Sequence, residues 1–233
     1  MKPEVQSRKI VVLSGSGLSA ESGLPTFRDA QGLWKSHAWQ DLASLEGWTR
    51  NPELVLEFYN ECRKRAWEAQ PNDAHRAVAE LENDFDVVVV TQNVDALHER
   101  AGSTQVLHVH GELAYARSTS AKPQRYRLDD APIALGQLAE DGTQLRPDIV
   151  WFGEQTQHME VARWHVATAA KVLVVGTSLT VQPAASLVSA ARGRAEKLLV
   201  SLDMERIPYG FRYLQGPATQ HVPAVVERWR NAS

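Results

Sequence analysis

The chain has a single cysteine, Cys62, so it can form no internal disulfide. That is the pattern of a reducing, cytoplasmic compartment. It has no apolar run near the ~18 residues that a membrane helix needs. Its first nine residues are polar, without the apolar stretch of a signal peptide. It has little charge of either sign in excess, with a net charge of -3, so the broad basic footprint of a nucleic-acid binder is missing. Repeats and low-complexity tracts are absent too. What remains is ordinary for a globular protein, with 43% hydrophobic and 23% charged residues among 233. That length suits one domain, or one large domain with a small insert.

Four short runs are apolar at every position but Ser201: residues 10–13, 87–90, 172–175 and 198–202. Strands of a parallel sheet covered on both faces read this way. Residues 106–109 and 149–152 are weaker strand candidates. Helical patterns lie between them. Residues 52–67 open with Asn51 as N-cap and Pro52 at the first helical position. Residues 73–81, 94–100, 159–169, 183–191 and 225–229 are the other expected helices. Strands alternating with helices predict a doubly wound, Rossmann-like α/β sheet. Two stretches break the alternation. Residues 26–47 are irregular and aromatic, with Phe27, Trp34, Trp39 and Trp48 in or beside them, and residues 114–144 are polar with few patterns. Long segments of this kind are lids, binding loops or small inserted modules.

The first strand runs into Gly15-Ser16-Gly17-Leu18-Ser19-Ala20, a match to G-x-G-x-x-G/A. Glycines allow a tight turn and close approach of phosphate, and the next helix offers free N–H groups. The motif alone also fits a plain glycine-rich turn. A dehydrogenase would follow it with a second strand ending in an acidic residue. Here Leu24-Pro25-Thr26-Phe27-Arg28-Asp29 reads as a loop.

Further blocks follow in order. They are Glu21-Ser22-Gly23-Leu24-Pro25-Thr26-Phe27-Arg28, Thr91-Gln92-Asn93-Val94-Asp95-Ala96-Leu97-His98, His108-Val109-His110-Gly111-Glu112-Leu113, Leu145-Arg146-Pro147 with Ile149-Val150-Trp151-Phe152-Gly153-Glu154, and Val174-Val175-Gly176-Thr177-Ser178. With the glycine turn they make the chain resemble the sirtuin family from about residue 10 to about 220. The resemblance implies one catalytic domain over 1–233, with small-module segments at about 26–70 and 114–146. It also implies NAD as co-substrate and acylated protein lysines as partners. The reaction would release free lysine, nicotinamide and O-acyl-ADP-ribose.

Site roles follow from the same resemblance. Gly15, Ser16, Gly17 and Ser19 would line the NAD phosphates, and Phe27 and Arg28 would close over the nicotinamide ribose. Gln92, Asn93 and Asp95 would form the nicotinamide pocket, with Asn93 joining His110 in catalysis. Val150, Trp151, Phe152, Gly153 and Glu154 would pair with substrate backbone. Gly176, Thr177 and Ser178, with Ser201, would take the adenine-side ribose and phosphate. The residue types suit the chemistry, because a histidine near neutral pKa can deprotonate a ribose hydroxyl.

Plainer readings stand beside these. Asn93 or Asp95 could simply cap the next helix. His108 and His110, two apart, would face one side of a strand. A metal pair there has no carboxylate or third histidine at ligand spacing, so His108 is given a packing role. The other six histidines read as surface or structural residues, and the tryptophans as core anchors.

The chain departs from the family in three places. Ser118 and Ala121 occupy the first C-x-x-C pair of the family's zinc module, and residues 129–144 lack the second. Neither side chain replaces a thiolate on zinc, so the module is expected to be zinc-free. It would be packed by Tyr115, Tyr126, Leu128, Ile133, Leu135 and Leu138. Relatives that remove acidic acyl groups carry Tyr and Arg three apart. Here Tyr59 is followed by Cys62, a pocket-wall thiol, and Arg63 lies one step further round. Ser201 stands where relatives often place Asn. Two other outcomes are open on this fold: mono-ADP-ribosyl transfer or NAD hydrolysis, and a non-enzymatic NAD-binding module. The acyl group, the substrate protein and the oligomeric state are not legible.

Overall fold

The computed structural model of the chain describes residues 4–26 and 38–232. In chain order its elements are β1 (Gln6–Ser14), α1 (Ser16–Ala20), α2 (Trp39–Leu42), α3 (Leu45–Arg50), α4 (Pro52–Glu68), α5 (Asp73–Glu80), β2 (Asp86–Thr91), α6 (Leu97–Ala101), β3 (Val106–His108), β4 (Gly111–Ser118), β5 (Arg125–Arg127), β6 (Leu145–Ile149), α7 (Met159–Thr168), β7 (Ala169–Val175), β8 (Glu196–Ser201), β9 (Arg212–Gln215) and α8 (Ala218–Asn231), with 3-10 turns at Leu81–Asn83 and Ala184–Ala190. Phe27, Arg28 and Trp34 lie outside the described residues. No helix among the described residues is long and apolar enough to cross a membrane.

Six strands form one parallel sheet in the order β3-β2-β1-β7-β8-β9. Its apolar runs are explained by cover on both faces. Ile10, Val12, Val87, Val89, Leu173 and Val175 pack under α5 and α8 with Trp229. Val11, Leu13, Val88, Val90, Val172 and Val174 pack under α7 and the Ala184–Ala190 turn. Successive residues thus face opposite helices, and neither face is left for polar side chains.

The helix starts are local chemistry. Asn51 Oδ1 accepts from Leu54 N at 3.1 Å, and Pro52 opens α4. Several expected boundaries move. The helix expected over 94–100 begins only at Leu97, and 183–191 forms a 3-10 turn after Pro183. The closing helix runs the full length of α8 and carries Pro223 inside it. The strand expected at 149–152 is β6, which ends at Ile149. The irregular 26–47 stretch contains α2. The edge strand β9, half-exposed and without an apolar run, was not anticipated.

Residues 114–144 hold more order than their composition suggests. β4, β5 and β6 form an antiparallel sheet in the order β5-β4-β6. One face packs with α4 through Tyr59, Leu113, Ile149 and Trp151, and a second cluster joins Leu56, Ala116, Ile133 and Leu145. Tyr126 and Leu128 join that cluster as expected, but Leu135 and Leu138 are exposed. Trp151 and Trp229 are core anchors, whereas Trp67 and Trp164 are exposed.

Candidate active site

The chain order reverses between β1 and β7, and ligands of doubly wound sheets bind at the carboxyl ends of the strands there. The glycine turn leaves β1 at this point and docks on the turn after β7. Gly15 N donates to Val175 O at 3.0 Å and Gly17 N to Gly176 O at 2.8 Å. A Cβ on Gly17 would stand 2.9 Å from Gly176 O, and Gly176, at φ +64°, has Leu18 N where its own Cβ would go. The two turns need glycine to close on each other.

Beside them opens a continuous cavity of about 560 Å³. Every described residue expected in the site lines it: Gly15, Ser16, Gly17, Ser19, Tyr59, Gln92, Asn93, Asp95, His110, Val150, Trp151, Phe152, Gly153, Glu154, Gly176, Thr177, Ser178 and Ser201.

The polar floor follows β2. Asn93 N donates to Thr91 Oγ1 at 3.0 Å, Asn93 Nδ2 donates to Ser19 Oγ at 3.0 Å, and Ser19 Oγ donates to Asp95 Oδ2 at 2.9 Å. Asp95 Oδ1 accepts from Leu97 N at 3.1 Å, so Asp95 also holds the start of α6. Burial pushes its carboxyl above the usual range. Among the described residues Asn93 caps nothing and its buried Oδ1 has no partner, an acceptor in a cavity wall suited to a donor on a ligand. Gln92 reaches across the crevice and donates to Thr177 Oγ1 at 3.1 Å.

His110 Nδ1 lies 3.2 Å from Gln92 O. A carbonyl only accepts, so Nδ1 carries the proton and Nε2 keeps a basic lone pair. Burial lowers the ring's pKa below that of an ordinary histidine, which leaves it neutral at pH 7.

His108 behaves otherwise. β3 ends at His108, and the chain bends before His110, so the two rings do not share a strand face. Carboxylates do stand near His108: folding brings in Glu99, and Glu112 lies four residues on in the same block, so that Glu99, His108 and Glu112 each place one ligand atom within 4.8 Å of the others. Arg125 binds Glu112, and His108 Nε2 lies 2.7 Å from Glu99 Oε1, so the group is an ion-pair cluster. His75 and His98 are buried structural residues, their rings 5.0 Å apart.

Along the wall, Val150 N donates to His110 O and Phe152 N to Ala43 O, both at 2.9 Å. The Glu154 carboxylate is taken up by the protein. Arg146 binds both its oxygens at 2.9 Å, Arg117 binds one at 2.8 Å, and Trp151 N donates to Oε2 at 2.8 Å. It shapes the wall through its neighbours and offers a ligand backbone only. Trp151 Nε1 in turn donates to Tyr59 OH at 3.1 Å.

Tyr59, Cys62 and Ala66 line the apolar end of the cavity. Burial pushes the Cys62 thiol up to about 12, which suits a wall residue and not a nucleophile. Arg63 turns away and donates to Leu113 O at 2.6 Å and Asn60 Oδ1 at 2.8 Å. Among the described residues, the Lys or Arg that does line the cavity is Arg65, paired at 2.7 Å with Glu61. Its position three after Cys62, one helical turn on, was the signal available in the sequence. At the other end Ser201 Oγ donates to Asp203 O at 3.0 Å, and Asp203 also lines the cavity.

A doubly wound sheet, a glycine turn at its switch point and a polar-floored cleft define a dinucleotide-binding α/β protein. The chain belongs to the Sir2 family, whose model matches residues 15–183. It is 52% identical over 180 residues to an NAD-dependent protein deacylase of Helicobacter pylori, covering 77% of this chain and 78% of that one. It is 40% identical over 235 residues to an NAD-dependent protein deacylase of Escherichia coli (strain K12), covering 97% and 84%. Among solved structures, a Sir2 homologue in complex with NAD superposes with a TM-score of 0.87 at 36% identity, covering 97% of this chain and 91% of that one. A Sir2 protein with a deacetylated p53 peptide and 3'-O-acetyl ADP-ribose superposes with a TM-score of 0.78 at 27% identity, covering 96% and 94%.

Proposed function

We propose that the protein is an NAD-dependent protein-lysine deacylase that releases nicotinamide and O-acyl-ADP-ribose. The observation that carries this reading is the pairing, in one cavity, of the unpartnered Asn93 Oδ1 with a neutral His110 whose Nε2 is free to take a proton. The names of the similar proteins, and the peptide complex among them, support it. NAD, when bound, supplies the ribose carbon that receives the acyl oxygen once nicotinamide leaves.

The chain's own residues do the rest. Gly15, Ser16, Gly17 and Ser19, with Gly176, Thr177 and Ser178, cradle phosphates and ribose at the switch point. Ser201 steadies the adenosine side through the turn to Asp203. Gln92, Asn93 and Asp95 hold the nicotinamide end. His110 takes the ribose proton. Tyr59, Cys62 and Ala66 enclose the acyl chain, while Val150 to Gly153 present backbone to the peptide. The module of segments 26–70 and 114–146 is held without zinc, since Ser118 bonds Ser120 and Gln124 N where a thiolate would sit. The single cysteine supports a reducing, cytoplasmic setting.

The test is incubation with NAD and a panel of acyl-lysine peptides, read by mass spectrometry. Free-lysine peptide, nicotinamide and O-acyl-ADP-ribose should appear in equal amounts. ADP-ribosylated protein, or free ADP-ribose with the acyl peptide intact, would move the assignment to ADP-ribosyl transfer or NAD hydrolysis.

A further inference from the structure

We propose that His108 is a positioning residue for the nicotinamide step, a buried imidazolium that clamps the main chain of Asn93. The inference rests on the reading above, in which Asn93 and Asp95 line the nicotinamide pocket. His108 Nδ1 lies 2.9 Å from Asn93 O, and Nε2 lies 2.7 Å from Glu99 Oε1. A carbonyl and a carboxylate only accept hydrogen bonds, so a ring bonded to both carries two protons and a positive charge. His108 is thus the opposite of His110, two residues on, which bonds the Gln92 carbonyl and which burial keeps neutral.

The surroundings support that charge. The side chain is 4% exposed. The charged and titratable groups that face it are Glu99 and His98 from α6, Glu112 from β4 and Asp95 from the segment after β2. Burial opposes the imidazolium, but the bond and charge of Glu99, with Glu112 behind it, raise its pKa. The clamp completes the fixing of Asn93. Its N–H is held by Thr91 Oγ1, its carbonyl by His108 and its Nδ2 by Ser19, which leaves Oδ1 fixed in the cavity wall. The same positive charge favours the ionised form of Asp95, against the burial that opposes it. A functional side chain held this way depends on such supporting bonds for its placement.

Ring-nitrogen NMR of histidine-labelled wild-type protein at pH 7 tests the clamp directly, with His108→Gln used to assign the signal. Both His108 nitrogens should be protonated; one bare nitrogen overturns the proposal. Kinetics test the role. His108→Gln should slow nicotinamide exchange roughly 10- to 100-fold, the scale of a lost charge-assisted hydrogen bond, and leave the Kd for ADP-ribose unchanged. The clamp is complete below the raised pKa and lost as pH rises through it. Wild-type exchange should therefore show an alkaline limb that His108→Gln lacks. A folded variant with wild-type rate and pH profile means that His108 only packs, and the proposal is wrong. Asn93→Ala separates this outcome from failure of the pocket itself: if it spares exchange, the pocket reading falls, whatever the His108 spectrum shows.

Discussion

The two sheets of this molecule bury their backbone by opposite chemistry. The central strands of the parallel sheet are filled with Val, Leu and Ile, and the helices over them supply more of the same. The antiparallel sheet buries charge. Arg146 and Asp148 of β6 are each 4% exposed. A chain of pairs crosses the small sheet, with Glu112 bound by Arg125, Asp148 by Arg125, and Glu154 by both Arg117 and Arg146. Dispersion spreads stability over many weak contacts, so one lost methylene costs about 1 kcal/mol. A buried ion pair concentrates it, because removing one partner strands the other. On the zinc-free reading proposed above, the rigidity of the small sheet, and the shape of the cavity wall attached to it through Glu154, hang on a few charged groups.

The catalytic end of the comparison gives the largest effect. His110→Ala should lower deacylation by about 10²–10⁴-fold, the loss expected for a general base. Calorimetry should find NAD binding nearly intact, since the glycine turn and Gly176 to Ser178 remain. Because burial lowers the His110 pKa, the acid limb of kcat/KM should fall below the ordinary histidine range of about 6.5. A wild-type rate in the variant would make His110 a plain loop residue.

The ionic module comes next. Glu154→Gln should cost about 2 kcal/mol, because Arg146 and Arg117 lose their shared charge. Hydrogen exchange should quicken in β4 and β6 and stay slow in β1 and β7. An equal loss of protection in both sheets would end the distinction drawn between them. The wild type offers a pH version. Burial works to raise the Glu154 carboxyl, but the bond and charge of Arg146 hold it below the usual range. Its contribution is full above the unfolded glutamate pKa of about 4.3 and is lost as pH falls through the lower folded value. The small sheet should loosen in acid by this route.

Acyl choice is a smaller, graded effect. With Cys62 at the wall, Arg63 turned away and Arg65 already paired with Glu61, an acetyl-lysine peptide should exceed its succinyl counterpart by about 10-fold or more in kcat/KM, since a buried carboxylate would be poorly paired. If succinyl is accepted instead, Arg65→Gln should abolish the preference, and a succinyl rate unmoved by that change would remove Arg65 from the acyl end as well. The smallest effect is none at all. A strong chelator should leave Tm unchanged, because Ser118 is hydrogen-bonded within its own turn. A drop in Tm, with one zinc released per chain, would show a metal holding the module after all.

The parallel sheet was legible because its strands are apolar at every position, a pattern with one common cause. The site was legible through the resemblance of short blocks to the sirtuin family, and those blocks sit near strand ends, where the fold gathers them. The antiparallel sheet was not. β6 reads Leu145, Arg146, Pro147, Asp148, Ile149, and its buried charges look exposed until their partners arrive from β4, β5 and the turn at Glu154. Sequence alone determined the doubly wound class and the glycine turn, because apolar pattern and local spacing specify them, and the family resemblance of its ordered blocks pointed to part of the cavity lining. Only the tertiary structure decided that Glu154 serves the protein's own arginines, that Arg65 and not Arg63 reaches the cavity, and that His108 meets both a carbonyl and a carboxylate where His110 meets a carbonyl. Each of those depends on hydrogen-bond partners brought in from elsewhere in the chain, and burial then sets what an unpaired group costs.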